Sequence, residues 1–231
     1  MGLPQNLGPI VTAIGGLGTA AFGLLDASKA TFPFINRIGF SHIRGVVSGL
    51  TPSETGGGAP VNALPQSNVL ATLEANWVNG TDLVSQKAIA KSLVKLHLSA
   101  ANAAALAAKT NVDPAHLTAV ATSIIAATPL TQELSDAYSR FDLIVTAMLD
   151  EAYQMSDQVY RNWTRVLAGV IAVTVAVLGG WSMVNAPGYW FSQEMFQAVL
   201  VGLLATPLAP IAKDLSSALA TAVNTLQAVK K

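Results

Sequence analysis

The sequence predicts an all-α integral membrane protein, with three transmembrane helices and a cytoplasmic helical bundle or coiled-coil region. Three observations predict it. Charged residues make up 11% of the 231-residue chain and hydrophobic residues 52%, whereas a soluble domain carries roughly 25% charged residues. One domain of this length leaves much of its surface in water, so the excess apolar surface calls for lipid. The apolar residues are also grouped: three stretches contain no charge and are long enough to cross hydrocarbon at about 1.5 Å of rise per residue. Finally, threading the chain through three spans puts all 13 lysines and arginines on one side, which the positive-inside rule makes the cytoplasm.

Residues 1–6 form an extracytoplasmic N-terminus. They carry no Lys or Arg, which argues against a signal peptide. The first span is 7–25, closed by Asp26 and Lys29. Within it Gly8, Thr12, Gly16 and Ala20 recur every four residues, as do Gly15, Thr19 and Gly23. Small residues at that spacing let helix backbones approach closely in lipid, so this face is expected to pack another helix or a second copy. The same stretch holds Gly16-Leu17-Gly18-Thr19-Ala20-Ala21, a G-x-G-x-x-A pattern. A dinucleotide site also needs a flanking strand and an acid about 20 residues on. Ile38, Gly39, Phe40, Ser41 and His42 offer no acid, and no βαβ alternation follows.

Segment 26–50 mixes apolar residues with Arg37, His42 and Arg44. It reads as an interfacial helix with basic groups toward lipid head groups, or equally as a helix packed on the rest of the protein. Residues 51–68 are a Gly/Pro-rich linker.

The cytoplasmic helical region spans 69–162. Ile89, Leu93, Leu96, Ala100, Ala103 and Ala107 make one apolar stripe, and Lys87, Lys91 and Lys95 a separate basic ridge. Asp113 followed by Pro114 marks a helix start. The clearest periodic segment runs through Leu134, Tyr138, Phe141, Val145, Met148, Ala152, Met155 and Val159, alternating steps of four and three. This is the seam of a coiled coil or antiparallel bundle. Asp142, Asp150, Glu151 and Asp157 read as a solvated helix face, with an electronegative vestibule that concentrates cations near a pore as the alternative. No helix breaker follows, so one helix is expected to continue into the next span.

The second span, 163–184, has an uncharged core from Val166 to Val184. Trp163 and Trp181 bracket it about 27 Å apart along a helix, close to the hydrocarbon thickness. With Tyr189 and Trp190 in the extracytoplasmic turn 185–194, they are the expected membrane-interface anchors. The third span is 195–212, with Pro207 and Pro210 near its end. Residues 213–231 make a cytoplasmic C-terminal helix. The expected location is the plasma (inner) membrane, multi-pass, with the N-terminus outside and the C-terminus cytoplasmic.

Chemistry-bearing patterns are absent. The chain has 0 cysteines and a net charge of +0, which excludes thiolate sites and gives no basic face for nucleic acid. His42, His97 and His116 are not followed by a second His or a carboxylate three or four residues on, and there is no G-x-S-x-G elbow. No catalytic residue, metal ligand or cofactor is assigned, and the chain is not expected to be an enzyme. The uncharged stretches 7–25, 166–184 and 195–212 hold no ionisable residue, which argues against coupled transport and leaves a passive pore open. The expectation is a non-enzymatic structural, assembly or anchoring component. Its partners are the lipid bilayer, further copies of itself and other subunits of a membrane complex. The runner-up is a subunit of an oligomeric passive ion or small-solute channel.

Overall fold

A computed structural model describes residues 7–51, 64–185 and 188–210, with side chains from Ile10 onward. All regular structure among these residues is helical: α1 (Leu7–Thr31), α2 (Phe40–Leu50), α3 (Gln66–Val78), α4 (Leu83–Leu96), α5 (Ala103–Thr110), α6 (Pro114–Ile125), α7 (Gln132–Val184) and α8 (residues 193–210). Short 3-10 turns cover Pro33–Arg37 and Tyr189–Phe191. The chain divides into two compact units, one of residues 34–160 and the other of residues 1–33 with 161–231. α7 is one uninterrupted helix of 53 residues, and its first part belongs to the 34–160 unit. The expected segments 1–6 and 213–231, and most of the linker 51–68, lie outside the described residues; α3 starts within the last of these, at Gln66.

The 34–160 unit is a helical bundle built on the first part of α7. Phe141, Val145, Leu149 and Tyr153 of α7 meet Phe40, Ile43, Val47 and Leu50 of α2, Val69 and Leu73 of α3, Val94 of α4 and Leu117 and Val120 of α6 in one buried core. The inward row of α7 departs from the sequence seam. Leu134, Tyr138 and Met148 are packed at the core edge, whereas Met155 is exposed and Leu149 and Tyr153 are inside. Alternating steps of four and three give a period of about 3.5, which only a supercoiled helix keeps in line. A straighter helix drifts toward 3.6, and the buried row then advances in fours. Val159 is half-buried and Ala152 fully so.

Over segment 26–50 the described residues show a helix packed on the rest of the protein. α1 extends through it to Thr31, and α2 turns its apolar side into the bundle core. Its basic groups go to protein: Arg37 and Arg44 both bind Glu74, at 2.9 and 2.7 Å. Gly39 starts α2 with φ +89, and a Cβ there would collide with the Ser156 carbonyl. Only glycine meets both demands without strain.

The helical region that begins at residue 69 is broken twice before residue 103. Gly80 (φ 68) turns the chain, and Asp82 caps α4 by accepting from the Ser85 N–H at 2.9 Å. Then Asn102 accepts from the Ser99 N–H at 2.8 Å and donates to the His97 carbonyl, closing a knot between α4 and α5. Ile89 and Leu93 stay against the core, while Leu96 and Ala100 of the expected stripe are exposed. Ala103 and Ala107 are buried on α5. The Asp113–Pro114 start of α6 is as the sequence predicts, with Asp113 accepting from the His116 N–H at 2.9 Å.

The basic ridge and the acidic stretch face each other. Lys87 binds Asp150 at 2.6 Å, and Lys91 and Lys95 bind Asp142 at 2.5 and 2.9 Å. The Lys95 ammonium also lies 4.9 Å from the centre of the Tyr138 ring. Burial by itself would push Asp142 up, but the Lys91 and Lys95 ammoniums outweigh it and hold the carboxyl below its usual 3.8. Burial likewise opposes the charge on Lys95, and Asp142 and Tyr138 outweigh it, so Lys95 sits above 10.5. A lowered carboxylate stabilises the fold above its unfolded value and loses that contribution as pH falls through the folded one. Asp142→Asn is expected to cost about 1–2 kcal/mol near neutral pH, at the upper end for partly shielded pairs. In urea unfolding the gap from the parent chain should close as pH drops below 3.8 and shrink in high salt.

Candidate membrane-embedded helical unit

The second unit is built from α1, the last part of α7 and α8. Its interior is made of small residues. Ala21, Ala172 and Ala205 form its buried cluster, with Ile14, Leu17 and Ile171 against it. Gly18 of α1 lies on the backbone of Ala205, so closely that any Cβ would overlap the Ala205 carbonyl. Gly202 of α8 lies on α7, where a Cβ would stand 2.5 Å from Val173 Cα. One turn further along α8, Thr206 Oγ1 would be 3.6 Å from a Cβ at Gly169. Residue numbers rise along α8 as they fall along α7, so the two helices run antiparallel. Without side chains at these points the axes can approach closely, which gains dispersion and needs no polar partner.

At the other end of α7 the aromatic turn folds back. Tyr189 is buried over Gly180, and its hydroxyl donates to the Val177 carbonyl at 3.0 Å. Trp190 packs on Trp181 with ring centres 6.1 Å apart. Of the four expected anchors, Trp163, Trp181 and Trp190 are about half exposed and Tyr189 is closed in by the chain itself.

The α1 residues singled out by spacing divide between two faces. Gly15 is buried, and its carbonyl accepts from the Thr19 hydroxyl at 3.0 Å. Thr12, Gly16, Thr19, Ala20 and Gly23 are exposed, and a Cβ added at Gly16 or Gly23 would meet nothing within 4 Å. Gly8 lies in α1, but its exposure is outside the described residues. The face that packs within the chain is Gly15, Gly18, Ala21 and Leu25. Sequence reasoning missed Gly18 and Ala21 because it followed steps of four; a search for steps of three and four together finds them.

The outside of this unit is apolar. Val166, Val170, Leu178, Phe196, Leu200 and Leu203 are each about half exposed or more, and Met183 and Phe191 almost fully. Full burial of one such side chain is worth roughly 1.5–3 kcal/mol. Together these are worth on the order of 10 kcal/mol in an apolar medium. Among the described residues two helices, not the three expected, are long and apolar enough to cross a membrane: Ile10–Thr31, 22 residues, and Gln132–Val184, which contains the second apolar stretch. The third expected span does not join them. Its described helix, α8, opens on the polar Gln193 and Glu194 and carries Gln197, Pro207 and Pro210, which lower its hydropathy. The most apolar 18-residue windows of the two helices are only 22% and 11% buried inside the protein. Helices that form the core of a soluble domain bury such windows.

The histidines are placed apart. His42 is exposed. The two ring nitrogens of His97 lie 2.8 Å from the Leu93 carbonyl and 2.7 Å from the Leu64 carbonyl. His116 lies 3.2 Å from Glu133 and 3.7 Å from Asp113. Among the described residues no group of three or more His, Asp or Glu side chains is arranged to hold a metal. Comparison with protein-family models, with curated proteins and with solved structures finds no match.

Proposed function

We propose that the chain is an integral membrane protein that serves as a non-enzymatic structural or assembly component, working as an oligomer. The observation that carries the membrane reading is the low internal burial of the apolar windows, 22% in α1 and 11% in α7. Apolar side chains left outside in this number need another apolar medium, and a bilayer supplies one. In this reading α1 and the Val166–Val184 stretch cross the bilayer, and α8, packed along both, is immersed beside them. Trp163, Trp181 and Trp190 lie at the two head-group levels.

Charge sets the orientation. Lys29, Arg161 and Arg165 flank the same ends of the two crossings, and neither residues 1–6 nor the turn 185–192 carries Lys or Arg. This favours the 34–160 unit in the cytoplasm and the N-terminus outside, in a plasma (inner) membrane. With 0 native cysteines, the orientation can be read directly. Asn185→Cys is expected to react with an impermeant maleimide applied to intact cells, and Ser135→Cys only after lysis. The reverse pattern would overturn the orientation.

The oligomer is inferred from α1. One of its small-residue faces is used within the chain, and the other, Thr12, Gly16, Ala20 and Gly23, is open. Cross-linking in native membranes is expected to return a second copy or another membrane subunit joined to this chain. Monomer alone, at reagent levels that link a known dimer, would remove the assembly role. The channel alternative gains nothing from the acidic stretch, because Asp142 and Asp150 are bound by lysines.

A further inference from the structure

A groove of about 520 Å³ opens where α1, α7 and α8 meet, lined by Phe22, Arg165, Val166, Thr206, Pro207 and Pro210. Its volume is that of a small-molecule site, roughly 300–1,000 Å³. Hydrocarbon makes up nearly all of the lining; the exceptions are the Thr206 hydroxyl and the Arg165 guanidinium. Arg165 directly precedes the uncharged stretch that begins at Val166, so the cation stands at one edge of an apolar trough.

The other cations that flank the apolar stretches of α1 and α7 have carboxylate partners or further contacts. Lys29 binds Asp26 at 2.7 Å, and Arg161 has interactions of its own. Among the described residues no acidic side chain pairs with Arg165. A guanidinium is weakly hydrated and matches two phosphate oxygens at once. Basic pockets between membrane helices on the cytoplasmic side suit anionic head groups.

We propose that this groove binds one anionic phospholipid from the bilayer, with its phosphate on Arg165 and an acyl chain along Phe22, Val166 and the two prolines. The proposal rests on the membrane reading above and adds a chemical preference to it. An ordinary annular lipid meets a smooth helix surface and shows no head-group selectivity. A lipid held here is selected twice, by a recess that fits a chain and by a cation at its mouth.

The test is native mass spectrometry of the full chain, delipidated in a neutral detergent and titrated with phosphatidylglycerol, with phosphatidylcholine of the same acyl chains, and with inorganic phosphate. One phosphatidylglycerol per chain is expected, preferred about tenfold over phosphatidylcholine, as one charge-assisted contact allows. Arg165→Gln should abolish that preference, while Arg161→Gln, outside the groove, should keep it. Val166→Trp, at a half-exposed lining position, should weaken both lipids by filling the trough. Equal retention of the two lipids, unchanged by Arg165→Gln, would overturn the site. So would phosphate alone binding as well as the lipid. A chain ending at residue 212 that takes up more phosphatidylglycerol than the full chain would also overturn it, since the C-terminal segment would then be the natural occupant. Alkaline extraction of membranes, run beside the titration, separates these failures from failure of the membrane reading: a chain that stays in the pellet but shows no lipid preference loses only this site.

Discussion

Val175→Arg is expected to reduce stable membrane insertion by about 2.5–3.5 kcal/mol, close to a hundredfold, while Leu143→Arg on the same helix changes little. Both side chains are apolar and exposed, Val175 at 38% and Leu143 at 69%, and both lie on α7. Only their proposed surroundings differ. Position 175 is at the middle of the Val166–Val184 stretch, where a charge must be dragged from the hydrocarbon centre toward an interface. Position 143 is on the solvated side of the 34–160 bundle, where a surface substitution costs within about 0.5 kcal/mol. The readout is the share of each variant that resists alkaline extraction. Equal tolerance of arginine at both positions would mean that water, not lipid, covers residue 175.

Gly202→Ala is expected to destabilise the α1–α7–α8 unit by about 1–3 kcal/mol, the usual cost of forcing extra atoms into a packed contact. Its Cβ would stand 2.5 Å from Val173 Cα and 2.8 Å from Val173 N, and backbone atoms cannot rotate away as a side chain could. Gly16→Ala is the control. It adds the same methyl to an open helix surface and should be neutral or stabilise by about 0.4–1 kcal/mol through the unfolded chain. Thermal unfolding in detergent, followed by helical signal, compares the two. Equal effects would show that α8 does not lie on α7 as described.

Some of this architecture was legible because its signals are local. The α6 start needs only Asp113 and Pro114, which act within one turn. The continuity of α7 needs only the lack of a breaker between Thr131 and Val184. The apolar stretch after Arg165 is visible as an absence of charge.

Other features depend on partners far away in sequence. An amphipathic helix such as Phe40–Leu50 looks the same whether protein or lipid covers it. What decides is Glu74, which takes Arg37 and Arg44, and a core row on α7 about a hundred residues on. The lysine ridge of α4 carried no hint that Asp142 and Asp150 would meet it, because the register between two helices is set by packing. In α1 two small-residue faces overlap within one turn, and spacing alone cannot say which is used inside the chain. The expected third span shows a different limit. Freedom from charge between residues 195 and 212 is not sufficient, because the helix begins two residues earlier with Gln193 and Glu194 and carries two prolines.

Alkaline carbonate treatment of isolated membranes, followed by transfer of the purified chain into buffer without detergent, tests the membrane assignment most directly. The chain should remain in the pellet through carbonate and should aggregate once detergent is removed. A chain released into the supernatant, and staying monodisperse in plain buffer, would contradict it.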